Sequence, residues 1–214
     1  MSKSTDALRP TTVPFTTDKV TAVFTHLDKP DTKFCDRGWY KIVFRVTLDE
    51  GKKLQSKLKA VLTDWTRDLK KAGIEQAKTL NPVGGKLKVD DDGTECYWFE
   101  AKMRPSFKSR KSGDTIEQRP QVLDAQLKPM NELVGSGSTV KVSFRATAYN
   151  TPQATGITLR LNAVQVLELV RVGEQNDTGF GVEEGFATEP SEASEKTNSV
   201  ATTLEAEPAS ATNF

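Results

Sequence analysis

Gly38-Trp39-Tyr40-Lys41-Ile42-Val43-Phe44-Arg45-Val46-Thr47-Leu48 is the stretch that decides the fold. Tyr40, Ile42, Phe44, Val46 and Leu48 share one side of a period-two alternation; Trp39, Lys41, Val43, Arg45 and Thr47 share the other. An apolar side backed by a mixed one is the signature of a strand buried on one face. The period then changes. Leu54, Leu58, Val61, Leu62, Trp65 and Leu69 form one stripe at helical spacing, backed by Lys, Arg and Asp, and Gly73 supplies a stop. Trp65 is read as core.

Alternation recurs on both sides of this unit. Lys19–Leu27 precedes it. After the Pro/Gly linker Asn81–Gly85 and the turn Asp90-Asp91-Asp92-Gly93, Glu95–Arg104 places Tyr97, Phe99, Ala101 and Met103 one way and Trp98, Glu100, Lys102 and Arg104 the other. A basic loop with Phe107, Lys108, Arg110, Lys111 and Gly113 leads to a short strand, Gln121–Asp124. Thr139–Tyr149 points Val140, Val142, Phe144, Ala146 and Ala148 inward and Lys141, Ser143, Arg145, Thr147 and Tyr149 outward. Ile157–Val172 follows, with Ile157, Leu159, Leu161 and Ala163 inward and Arg160 outward. About five long strands and one helix predict an all-β domain, a small closed antiparallel barrel of the OB-fold type, with the helix between the second and third strands.

Residues 18–172 are expected to form this one domain, and residues 1–17, rich in Ser, Thr and Pro, a loose arm. No apolar run approaches the ~20 residues of a membrane span, and the polar start does not read as a signal peptide. Cys35 and Cys96 make no metal-binding pattern and are expected as free thiols in a reducing compartment; the single His26 excludes a His-rich metal site. The chain is read as soluble and intracellular.

The net charge of +1 conceals a division. Residues 1–172 carry 29 Lys and Arg against 20 Asp and Glu; residues 173–214 carry nine acids and one base, Lys196. This tail, Gly/Ser/Thr/Glu/Ala/Pro-rich, buries too little to offset the entropy of ordering and is expected to be disordered. As a flexible coil it spans roughly 35 Å, about the diameter of the domain, so it can fold back over a basic surface and compete with a polyanion.

The outward residues carry the chemistry: Trp39, Lys41 and Arg45; Trp98, Lys102 and Arg104; Lys141, Arg145 and Tyr149; Arg160; and Phe107, Lys108 and Arg110 in the loop. Cations neutralise phosphates while flat side chains stack on unpaired bases, each stack contributing about 1–3 kcal/mol whatever the base. That combination suits single-stranded nucleic acid. The bland reading gives each strand cation a solvated or edge-protecting role, and lets Trp39 and Trp98 cover the helix. Asp90–Gly93 reads as a turn rather than a calcium loop. Gly135-Ser136-Gly137-Ser138 lacks the Lys of a phosphate loop, and no nucleophile–base pair is visible, so neither catalysis nor a cofactor is expected.

A resemblance gathers these residues. Arg37-Gly38-Trp39-Tyr40-Lys41, Asp92-Gly93-Thr94, Ala101–Lys108, Ser138-Thr139-Val140-Lys141-Val142, Ala148-Tyr149, Gly156, Leu159-Arg160-Leu161 and Glu168-Leu169, then the acidic stretch ending in Phe214, are similar in order and spacing to the single-stranded-DNA-binding proteins of tailed bacteriophages. The resemblance implies an OB-fold and coating of single strands in phage DNA replication and recombination within the host cytoplasm, often with annealing. It also implies contacts of the tail and Phe214 with the replicative polymerase and helicase–primase, and a homodimer among the assemblies it allows. Tyr149 matches a base-stacking position of that family; Thr151 stands where the family often has a second aromatic residue. An RNA-binding OB module, or an interaction or inhibitor protein with a basic face, are the alternatives the residues leave open.

Overall fold

The computed structural model describes residues 8–33, 35–77, 85–90, 92–109 and 112–171. In chain order the described elements are β1 (Thr12–Thr16), β2 (Val20–Asp31), β3 (Trp39–Thr47), α1 (Leu48–Lys71), β4 (Lys86–Val89), β5 (Glu95–Met103), β6 (Ser106–Lys108), β7 (Thr115–Glu117), β8 (Gln121–Leu123), β9 (Thr139–Asn150) and β10 (Thr155–Glu168). The stretch that opened the reading is β3. Ile42 and Phe44 are fully buried and Val46 nearly so. Leu48, expected as its last inward residue, instead begins the helix.

Helix α1 starts at a capping box. Thr47 Oγ1 accepts from the Glu50 backbone N–H, and the Glu50 carboxylate accepts from the Thr47 N–H. Asp49 and Glu50 in the first turn and Lys70 and Lys71 in the last complement the helix dipole. The predicted stripe is the buried one from Leu58 on, Leu58, Val61, Leu62, Trp65 and Leu69, each side chain contributing about 1.5–3 kcal/mol, while Leu54 at its start is only partly buried against the core. Gly51 allows the helix to lie against Tyr97, whose ring a Cβ would approach within 2.3 Å. Gly73, at φ +67°, ends the helix where expected.

Eight strands form one sheet, in which β9, β2, β3, β5 and β10 pair in turn and β10 pairs back with β9. The hydrogen-bonded path therefore returns on itself through five strands, and α1 follows the second of them. The expectation of a five-stranded antiparallel barrel needs two corrections. β1, β4 and β8 extend the sheet beyond five, and β10 runs parallel to both β5 and β8. Phe44, Phe99 and Phe144 fill the interior, Phe44 stacked on Phe99 at 5.8 Å and tilted against Phe144 at 6.2 Å.

The segment read as a loose arm is, from Thr12 to Thr16, the strand β1 on the edge of β9, and its Phe15 stacks on Phe144 at 5.7 Å. The basic loop is in part a hairpin, β6 with β7. Ala163 does not continue the inward series, because a register shift between Leu161 and Ala163 hands the core positions to Val164 and Val166. Thr147, expected outside, is buried. Cys35 and Cys96 are both free thiols. Among the described residues no helix is long and apolar enough to cross a membrane. The tail, residues 173–214, lies outside the described residues.

Candidate nucleic-acid interface

Strand register sets the geometry of the outer face. Lys41 on β3 lies opposite Lys102 on β5, Lys102 opposite Arg160 on β10, and Arg160 opposite Arg145 on β9. His26 on β2 lies opposite Lys41 at the other end. Because partners directly across a ladder sit about 4.5–5.5 Å apart at Cβ, Lys41, Lys102, Arg160 and Arg145 form one continuous cationic row around the ring. Like charges facing each other cost stability, so packing alone gives no reason for the row.

The two predicted tryptophans are half-buried and lie outside the core cluster. Trp39 carries the Lys102 ammonium at 5.2 Å from its ring centre and the Arg104 guanidinium at 5.1 Å. Such contacts are worth about 0.5–1 kcal/mol at an exposed site, less than the 1–3 kcal/mol of a stacked base, so a base can displace them. Trp98 lies opposite Arg45 across the β3–β5 ladder, has the Lys88 ammonium 4.9 Å from its ring centre and meets Phe24 edge-on at 6.1 Å and 66°.

Carboxylates hold part of this charge in place. Asp31 accepts from the Lys41 ammonium at 2.5 Å, Asp90 pairs with Arg45, and Glu100 lies 3.9 Å from Lys102. The Lys41 hydrogen bond, with help from the Lys33 backbone N–H, holds the Asp31 carboxyl below the usual carboxylate range. The Lys41–Asp31 and Arg45–Asp90 pairs are half-buried and the Lys102–Glu100 pair is exposed; all three still reach solvent, where a phosphate can take the place of the carboxylate. Asp90 also accepts from the Cys96 thiol at 3.2 Å; burial, then this neighbour, push that thiol's pKa up. Beyond Arg45 lies a depression of about 720 Å³ lined by Asp49, Glu50, Asp90, Asp92 and Glu95 against Lys19 and Arg45. Its carboxylates repel a polyanion, so the basic track ends there.

Not every predicted residue joins the row. Trp39, Lys41, Arg45, Trp98, Lys102 and Arg104 share the outer side of β3 and β5, and Arg160 and Arg145 continue from them. Lys141 and Tyr149 lie on β9 on either side of Arg145, each about 13 Å away along the strand. Phe107 and Lys108 are exposed on the β6–β7 hairpin, which leaves the end of β5 and is tied to it where the Gln118 side chain donates to the Arg104 carbonyl. Arg110 and Phe214 lie outside the described residues. Sequence reasoning missed Lys88, although Lys86–Val89 alternates like a strand. It also missed Asp31, Asp90 and Phe24.

Comparison with known proteins gives the chain its family. The family model described as Single-stranded DNA-binding protein, Bacteriophage T7, matches residues 19–169. The single-stranded DNA-binding protein of Escherichia phage T7 is 30% identical over 104 residues, 47% of this chain and 45% of that protein. That of Enterobacteria phage T3 is 30% identical over 100 residues, 45% and 43% of the two chains. The chain thus spans less than half the length of these curated relatives. Among solved structures, gp2.5 of bacteriophage T7, a single-stranded DNA-binding protein, superposes with a TM-score of 0.54 at 22% identity, covering 83% of this chain and all of that one. The single-stranded DNA-binding protein of bacteriophage Enc34 in complex with single-stranded DNA gives 0.51 at 14% identity over 72% and 86%. At these identities the structural likeness speaks for the fold, while the family model runs through every ring strand and the helix. The chain belongs to the bacteriophage T7 type of single-stranded DNA-binding protein, a family of binding proteins and not of enzymes.

Proposed function

We propose that the chain binds single-stranded DNA independently of sequence, coating strands exposed during phage DNA replication and recombination in the host cell. The observation that carries this reading is the cationic row Lys41–Lys102–Arg160–Arg145, flanked by Trp39 and Trp98. Repulsion within the row is relieved by phosphates, and the tryptophans supply stacking that needs unpaired bases. The five-strand ring with its helix after the second strand supports the OB-type barrel expected from the sequence. Lys141, Tyr149, Phe107 and Lys108 are assigned to the outer reaches of the same surface, and Arg110 is assigned to DNA contact. The acidic tail is the competitor for that surface; once displaced, its Phe214 end recruits the polymerase and helicase–primase. Annealing and dimer formation belong to the same reading.

The test is a tryptophan-fluorescence titration with oligo-dT across a salt series. Binding is expected to quench fluorescence and to weaken with salt, at a log–log slope of about −0.7 per phosphate contacted. No quench and no salt dependence would remove the reading. Oligo-rU run in parallel separates DNA from RNA preference. Removing residues 173–214 is expected to tighten oligo-dT binding and to abolish partner contact; unchanged affinity would leave the tail a solubilising segment only.

A further inference from the structure

Phe24 lies where the alternation of its own strand does not put it. Val20 and Ala22 are buried, and strict period two would carry Phe24 into the core beside them. A register shift between Ala22 and Phe24 intervenes. Ala22 lies opposite the buried Phe44, but Phe24 lies opposite Val43, on the outer side of β3. Thr25 then takes the inward place opposite Ile42 and donates to the Val134 carbonyl. The bulge therefore turns one of the chain's ten phenylalanines outward, where it is 58% exposed.

Burying that ring would contribute about 1.5–3 kcal/mol, so its exposure is a sacrifice of stability. Single apolar side chains on a surface need no explanation, but this one is not isolated. Its ring meets Trp98 at 66°, and Lys88 and Arg45 flank the tryptophan. Two rings near a right angle form a corner in which a flat base can lie on one face and abut the edge of the other. Lys88 and Arg45 put cations on both sides of that corner, Arg45 in its pair with Asp90. Bulges recur beside functional sites because they re-aim a side chain in this way.

We propose that Phe24 and Trp98 form a base-stacking corner, with Phe24 as a nucleobase-contacting residue of the interface. The ligand is an unpaired base of any identity, because the corner offers ring faces and no directed hydrogen-bond donor from Phe24. This inference rests on the single-strand-binding reading. It adds a second aromatic station to the one at Trp39: Trp98 and Lys102 are four residues apart, about 13 Å along β5, with the cationic row between the two stations.

The test uses the full-length chain, wild type, Phe24→Ala and Phe24→Tyr, with oligo-dT and with an abasic oligonucleotide of equal length and charge. Circular dichroism and melting establish that each variant is folded. Phe24→Ala is expected to bind oligo-dT about fivefold or more weakly with its salt slope unchanged, and Phe24→Tyr to match wild type, since loss of one stack removes at least about 1 kcal/mol. On the abasic strand all three are expected to bind alike. Equal binding of oligo-dT by wild type and Phe24→Ala overturns the inference alone, as does an equal loss on both ligands. A wild-type protein that does not bind oligo-dT takes down the broader reading, and this inference with it.

Discussion

The β3–β5 wall and the β9–β10 wall both present cations, but in different company. On β3–β5, Lys41 has Asp31, Arg45 has Asp90 and Lys102 has Glu100, and Trp39, Trp98 and the neighbouring Phe24 supply ring faces. On β9–β10, Arg145 and Arg160 face each other across the ladder, and among the described residues neither has an ion pair. A phosphate approaching the first wall must displace a carboxylate that already compensates the charge. Approaching the second, it relieves a repulsion. The difference teaches a division of labour: stacking and positioning belong to β3–β5, bare electrostatic attraction to β9–β10.

The largest expected effect breaks the first wall. Trp98→Ala should weaken oligo-dT binding by about 1–3 kcal/mol while the salt slope stays as in wild type, measured by anisotropy across a salt series. A loss confined to the slope would assign Trp98 to charge placement instead. Next comes the contrast between walls. Arg145→Ala should lower the slope by about 0.7, and Lys41→Ala by less, because Lys41 exchanges Asp31 for phosphate. Equal changes would erase the distinction. Asp31→Asn is smaller and opposite in sign: freeing Lys41 from this half-buried pair should tighten binding by roughly fivefold, and weaker binding would contradict it. Smallest is the acid dependence. With its folded pKa depressed by Lys41, Asp31 adds stability above the ordinary carboxylate pKa and loses it as pH falls through the lowered value. Carboxyl-carbon NMR of wild type should show Asp31 titrating below the ordinary range, and Lys41→Ala should raise it towards that range, with the Lys33 N–H bond still in place.

Much of the fold was legible because period and polarity coincide in these segments. β3, β5 and β9 bury the sides their alternation marks, and the stripe from Leu58 to Leu69 is the buried face of α1. What was not legible depends on neighbours distant in sequence. β1 is held as a strand by β9, and nothing within residues 12–16 announces that partner. The shifts near Phe24 and after Leu161 exchange inner and outer residues without a glycine or proline to mark the place. In the interface, the outward cations and tryptophans could be read one strand at a time. Their union into a row comes from register, which single strands do not encode. Asp90 reads only as a turn residue and Asp31 carries no signal, because it is the ladders that bring Arg45 and Lys41 to them.

Whether phosphates sit along the cationic row is decided most directly by salt dependence. In a Lys102→Ala/Arg145→Ala/Arg160→Ala variant, the log–log salt slope for oligo-dT is predicted to fall by about 2, three contacts at about 0.7 each. The DNA-free variant is predicted to melt no earlier than wild type, because facing like charges have been removed. A variant that keeps the wild-type slope would show that the phosphates lie elsewhere on the molecule.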